Sequence, residues 1–291
     1  MTLTTAQAFD CFWDAVSLDS ATSALVTQRR NAVDAVMRQA FPSTSTMRYQ
    51  SSYLMGSMGR KTASRPFDDI DLMVHLKVDD ALWAGSYQWN SSDFLHRVRR
   101  VLNDASTVQK IGARGQAVRL FYADGLSVDV AAVVSYTGGG YGIPSGNGTW
   151  LTTDPIKHSS YIAERNQALG NNLKRVIVFA KQWNKAHSAR LTSFHVELLA
   201  VRTFATLGTN RREALRMFFD YNRYNLSVSD PAGYGGDIAS YLSYNAKDEL
   251  NRSLIAALSR ADQALAAERA GNHSESIRLW RIILGSRFPT S

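Results

Sequence analysis

The stretch Gly56–Leu72, GSMGRKTASRPFDDIDL, sets a Gly-Ser step ahead of an Asp-x-Asp pair embedded in apolar residues. Alternate side chains of a β-strand project to one face, so Asp69 and Asp71 point together while Ile70 and Leu72 turn to a core. Two carboxylates held that close resist joint ionisation unless a cation joins them. A hard ion such as Mg²⁺ takes oxygen ligands from carboxylates and from substrate phosphates. Asp68 precedes the alternation and reads as a solvated residue where the strand begins.

A third carboxylate is set in the valine-rich run Leu126–Tyr136, LSVDVAAVVSY, where Asp129 is the one charged residue. Burying it alone costs several kcal/mol, so a cation or donor must compensate. A two-metal site meets that need: one ion activates an attacking ribose hydroxyl, and the other holds a triphosphate and its leaving pyrophosphate. Gly56 lets the backbone approach a phosphate closely, and Ser57 offers a hydroxyl and an N–H to its oxygens. Arg60, Lys61 and Thr62 follow within reach of the same phosphates.

Hydrophobic spacing gives helices over 4–17 and 21–41, strands near 47–54, 69–78, 117–123 and 126–136, and a helix over 91–104. Thr137–Thr149, TGGGYGIPSGNGT, holds six of the 19 glycines and reads as a loop between two domains, 1–145 and 146–291. No Gly-Lys-Ser/Thr follows it, which excludes a P-loop. Beyond residue 158 the pattern is nearly all helical and ends in helices over 247–270 and 274–284.

Lysine and arginine number 33 against 25 aspartates and glutamates, a net charge of +8 that suits polyphosphate substrates without identifying one. The single cysteine, Cys11, excludes a disulfide framework and a Cys-rich zinc ribbon. No apolar run reaches the roughly 18 residues of a membrane span, and the N-terminus lacks a basic, cleavable leader, so a cytoplasmic protein without membrane contact is expected.

The Gly-Ser step, the Asp-Ile-Asp-Leu strand and the later Val-Asp-Val resemble the signature of the polymerase-β-like nucleotidyltransferases. Within that superfamily the form GSxxRxTAxRPxxDIDL is similar to the bacterial CD-NTases, the cyclic GMP-AMP synthase-like enzymes of anti-phage CBASS systems. WLTTDP (150–155), NNLKRVIVFAKQWNK (171–185) and TSFHVE (192–197) extend the likeness over most of the chain. The resemblance implies an α+β fold: a mixed sheet with a long spine helix over 1–145, and a helical lobe over 146–291 that completes a nucleotide pocket. It implies two Mg²⁺ ions, or Mn²⁺, on Asp69, Asp71 and Asp129, and NTP substrates: ATP, GTP or a pyrimidine NTP. The product is a cyclic di- or trinucleotide that acts on a downstream effector, from a monomer that needs no nucleic acid. It further implies Lys181 and Ser193 on the triphosphate and Phe194 stacked on a base, while His195 and Glu197 read as structural. Asn166 offers an amide that can pair with a base edge. Three rivals stand beside this reading. They are nucleotidyl transfer to a protein, antibiotic or RNA end, a DxD glycosyltransferase, and a non-catalytic nucleic-acid-binding protein.

Overall fold

In a computed structural model, residues 3–67, 69–103, 110–188 and 190–290 are described; Asp68 lies outside them. The chain divides into two compact units. One holds Leu18–Gly59 and Phe67–His158, and the other holds Met1–Ser17, Arg60–Pro66 and Ser159–Ser291.

The first unit is built on a seven-stranded mixed sheet. Strands β1 (Met47–Leu54), β2 (Asp69–Val78), β3 (Lys110–Arg114), β4 (Ala117–Phe121) and β5 (Ser127–Ser135) lie in the order β1-β2-β5-β4-β3. β2 and β5 run parallel, and the other neighbours in that order are antiparallel. The expected period-2 pattern is present: Ile70, Leu72, Val74 and Leu76 of β2 and Val128, Val130, Ala132 and Val134 of β5 all enter one core. The helix Ser20–Ala40 closes that core with Val26, Val33 and Met37, and Ser91–Asn103 adds Phe94, Leu95, Val98 and Leu102. Asp19 starts the first of these helices by accepting the Thr22 N–H at 2.7 Å.

The boundary differs from the expected 145/146. Strands β6 (Tyr141–Pro144) and β7 (Trp150–Thr153) form inside and just after the glycine-rich segment, and β6 pairs with β5. Hydrogen bonding to the sheet keeps this segment in the first unit, which therefore runs to His158. The N-terminal helix Thr5–Val16 belongs to the second unit, because its apolar face carries Phe9 and Phe12 into a cluster with Phe179, Trp280 and Phe288.

That second unit is helical, as the sequence pattern indicates, with Leu173–Ala186 and Ser193–Thr203 at its centre. Val176, Ile177, Phe179, Ala180 and Trp183 are all buried, which makes Leu173–Ala186 a core helix. No helix among the described residues is long and apolar enough to cross a membrane.

Candidate active site

Parallel pairing of β2 with β5 places Asp71 opposite Asp129, and Asp69 opposite Ser127. Neighbouring strands lie about 4.8 Å apart, so the Asp71 and Asp129 carboxylates leave the sheet side by side on the face away from the large core. Asp69 joins them two residues back along β2. The Gly-Ser step sits directly against them: Met55 donates its N–H to the Asp71 carbonyl at 2.8 Å, and Gly56 has φ +56°. A Cβ on Gly56 would lie 1.9 Å from Asp71 Oδ2, so only glycine fits. The structure thus brings Gly56, Ser57, Asp69, Asp71 and Asp129 into one part of one unit.

Beside the carboxylates is a cavity of about 470 Å³ whose lining includes Asp71, Asp129, Met55, Ala117, Ala131 and Ile143. Gln116 and Ser145 supply polar groups to the same lining. Their two turns pack tightly, since a Cβ on Gly146 would meet the Gly115 backbone at 2.8 Å. The cavity therefore has an apolar floor and polar side chains next to two acids, Asp71 and Asp129.

Arg119 on β4 also enters this site. It pairs in register with Asp129 and grips that carboxylate with both Nε and Nη2. Its Nη2 lies 3.6 Å from Asp69 Oδ2 as well. Sequence reasoning passed over Arg119, although the signal exists: in Ala-Val-Arg-Leu-Phe it is the polar residue between two core positions.

The remaining site candidates lie in the helical unit, and several have other duties. The Glu197 carboxylate is completely buried. It accepts hydrogen bonds from Arg60, from Lys181 and, at 2.7 Å, from Thr62 Oγ1. Lys181 also donates to the Thr62 carbonyl and hydroxyl, each at 3.1 Å, so its three ammonium donors are matched within the protein. Burial alone would raise the Glu197 carboxyl, but the charges of Lys181 and Arg60 outweigh it and hold the group below the usual range. Burial presses the Lys181 ammonium downward against the pull of Glu197. A charge in so dry a place must be paired, and Arg60, Thr62 and Lys181 supply the partners of Glu197.

Asn166 is likewise engaged within the protein. It is buried, its Nδ2 donates to Asn171 Oδ1 at 2.9 Å, and its Oδ1 accepts the Lys174 N–H at 3.1 Å at the start of helix Leu173–Ala186. Its amide anchors a helix N-terminus.

Ser193 and Phe194 occupy the first turn of helix Ser193–Thr203, where backbone N–H groups are left over for an anion. Thr192 is the cap, accepting the His195 N–H at 3.3 Å, which leaves the exposed Ser193 hydroxyl outside the capping bond. His195 is structural, as expected: Nε2 meets the Leu226 carbonyl at 2.7 Å and Nδ1 meets the Tyr241 hydroxyl at 3.1 Å. That hydroxyl also accepts the Thr192 N–H at 2.9 Å, which fixes the helix start. Arg60 stacks over the Phe194 ring at 4.8 Å. Lys174 is half-buried, and its ammonium is pushed down first by that burial and then by the charge of Lys61.

A mixed sheet with paired acids facing a glycine-cleared turn defines a nucleotidyltransferase of the polymerase-β-like fold, and solved structures of that fold superpose on nearly the whole chain. Vibrio cholerae DncV, a cyclic AMP-GMP synthase solved with the linear intermediate 5′ pppA(3′,5′)pG, matches with a TM-score of 0.79 at 14% identity, covering 100% of this chain and 97% of that one. Escherichia coli MS115-1 CdnC, solved with ATP, matches with a TM-score of 0.76 at 19% identity over 99% of each chain. The model of the Second Messenger Oligonucleotide or Dinucleotide Synthetase domain matches residues 1–166, and the chain belongs to that family of bacterial CD-NTases. A probable cyclic nucleotide synthase of Bacillus cereus (strain VD146) is 26% identical over 269 residues, 81% of each chain. The protein is accordingly an enzyme, a nucleotidyltransferase.

Proposed function

We infer that this enzyme joins NTPs into a cyclic di- or trinucleotide with release of pyrophosphate, and that the product serves as a second messenger in anti-phage defence. The observation that carries the reading is the register of Asp71 with Asp129, with Asp69 on the same sheet face and Gly56 pressed against Asp71. The residues fit a pair of divalent cations such as Mg²⁺ or Mn²⁺. All three donors are carboxylate oxygens, and Arg119, which grips Asp129 and reaches Asp69, marks where positive charge is needed. As they stand, no three such groups among the described residues are drawn together as an ion cage. When bound, the cations neutralise the triphosphate and lower the pKa of the attacking hydroxyl.

The chain's own residues do the rest. Asp69, Asp71 and Asp129 hold the charge that draws cation and triphosphate together, and Gly56 with Ser57 lets the phosphates approach the strand end. The cavity floored by Met55, Ala117, Ala131 and Ile143 suits the flat apolar faces of an acceptor nucleoside, with Gln116 and Ser145 at its polar edges. In the helical unit, Ser193 with the first-turn N–H groups offers an anion site and Phe194 a stacking face. ATP in CdnC and the linear dinucleotide in DncV support NTPs as substrates and a stepwise route.

The test is incubation with all four NTPs and Mg²⁺ or Mn²⁺, then phosphatase and mass spectrometry. A phosphatase-resistant cyclic product is expected from the wild type, and none from the Asp69→Asn/Asp71→Asn variant. Full activity in that variant overturns the site. A product that forms only with an added acceptor and does not survive phosphatase overturns the cyclisation.

A further inference from the structure

The three acids share their sheet face with Arg119, and the geometry of that arginine is demanding. β4 and β5 are antiparallel neighbours, and Arg119 stands directly opposite Asp129, so the two side chains leave the sheet on the same face. Nε bonds Oδ1 and Nη2 bonds Oδ2, the two-point grip that a planar guanidinium makes on a carboxylate. The same Nη2 reaches past β5 toward Asp69 on β2, at 3.6 Å. Both Arg119 and Asp129 are largely withdrawn from water, with side-chain exposures of 16% and 15%, so neither is a loosely held surface charge. The arginine thus engages both oxygens of one acid and draws a second toward the same point.

We propose that Arg119 is a built-in counter-ion, a positioning residue that holds Asp129 and Asp69 together before loading and competes by its charge with a divalent cation for Asp129. Arg119 occupies one lone pair on each Asp129 oxygen and sets a positive charge beside both, so a cation binds there against its repulsion until the guanidinium turns away. The grip therefore lowers cation affinity in the substrate-free enzyme and keeps three acids compatible on one face. An arriving triphosphate brings the negative charge that gives the released guanidinium a new partner. Cation and nucleotide then load together, each easing the binding of the other by the same factor.

The inference rests on the reading of Asp129 as a cation-holding acid, and its test uses no nucleotide, so that its outcome is separate from that of the NTP assay. Mn²⁺ alone is titrated into the wild type, Arg119→Gln, Arg119→Lys and Arg119→Gln/Asp129→Asn, with free Mn²⁺ read by electron paramagnetic resonance. Loss of a charge-assisted two-point grip predicts that Arg119→Gln binds Mn²⁺ about tenfold more tightly than the wild type. Arg119→Lys keeps the charge but not the fork, and is expected to gain about threefold. The gain disappears in Arg119→Gln/Asp129→Asn. Arg119→Gln should also melt lower than the wild type without cation and recover more when Mn²⁺ is added, a response that a purely structural ion pair does not produce. Equal or weaker Mn²⁺ binding by a folded Arg119→Gln overturns the proposal. If that variant does not fold, the absence of any gain in Arg119→Lys overturns it, and a threefold gain supports it.

Discussion

Gly56 and Asp71 are so close that a methyl group on the glycine would coincide with the carboxylate, at 1.9 Å from Oδ2. The glycine also adopts a left-handed backbone, φ +56°, that side chains disfavour. Gly56→Ala must push Asp71 off its strand direction or shift the turn. A displacement of about 1 Å at a reacting centre costs about a hundredfold in rate, and a loss of at least that size in turnover is expected from a folded variant. Wild-type turnover by Gly56→Ala, measured as product formed per minute, contradicts the placement of Asp71 at the reaction.

Glu197 should be a pillar of stability. Glu197→Gln leaves Lys181 and Arg60 buried without their counter-charge, and breaking a buried pair from one side costs about 3–5 kcal/mol. Urea unfolding of Glu197→Gln, Lys181→Met and the double variant checks this. The double variant should lose less than the two single losses added together, since it leaves fewer charges stranded. Strict additivity counts against the coupling.

Acid should weaken the protein in two stages. His195 is buried and held neutral, with its pKa pushed below the ordinary 6.5 chiefly by loss of water. Its contribution is whole above pH 6.5, and it is lost as pH falls from there toward the folded value, because the unfolded chain takes the proton first. His75 on β2 shifts the same way through burial. Glu197 lies below its ordinary 4.5, so its share persists above pH 4.5 and disappears only at lower pH. Urea midpoints from pH 8 to pH 3.5 should therefore decline below 6.5 and more steeply below 4.5. His195→Asn should flatten the first decline while leaving the second.

Ser193 and Thr192 are adjacent, yet their alanine variants should behave differently. Thr192→Ala removes the helix cap and should cost about 1 kcal/mol of stability. Ser193→Ala leaves the cap intact, and should raise the KM for NTP about three- to tenfold, as expected for one lost hydrogen bond to a charged phosphate. An unchanged KM removes Ser193 from the phosphate site.

Much of the sheet was legible because β2 and β5 combine period-2 burial with isolated aspartates, a pattern few other arrangements explain. β3, β6 and β7 were not legible: each is at most five residues long, and Gly112, Gly142 and Pro144 interrupt any alternation. The carboxylates were legible as local sequence, whereas the inward turn of Lys181 was not, since its partner Thr62 lies 119 positions away. The contacts of Asn166 were hidden for the same reason. An amide looks identical in sequence whether it faces a base or the backbone of the next helix.

The aromatic cluster of the N-terminal helix has a consequence for how the protein is made. Phe9 and Phe12 leave the ribosome well before the aromatic residues they pack on, Phe179, Trp280 and Phe288. At about 5–20 residues per second, the partners of the first helix follow it by something on the order of tens of seconds. Arg60 and Thr62 likewise wait for Glu197. The sheet unit between them, complete by His158, has the opportunity to fold first, so a helix synthesised before the sheet is packed after it.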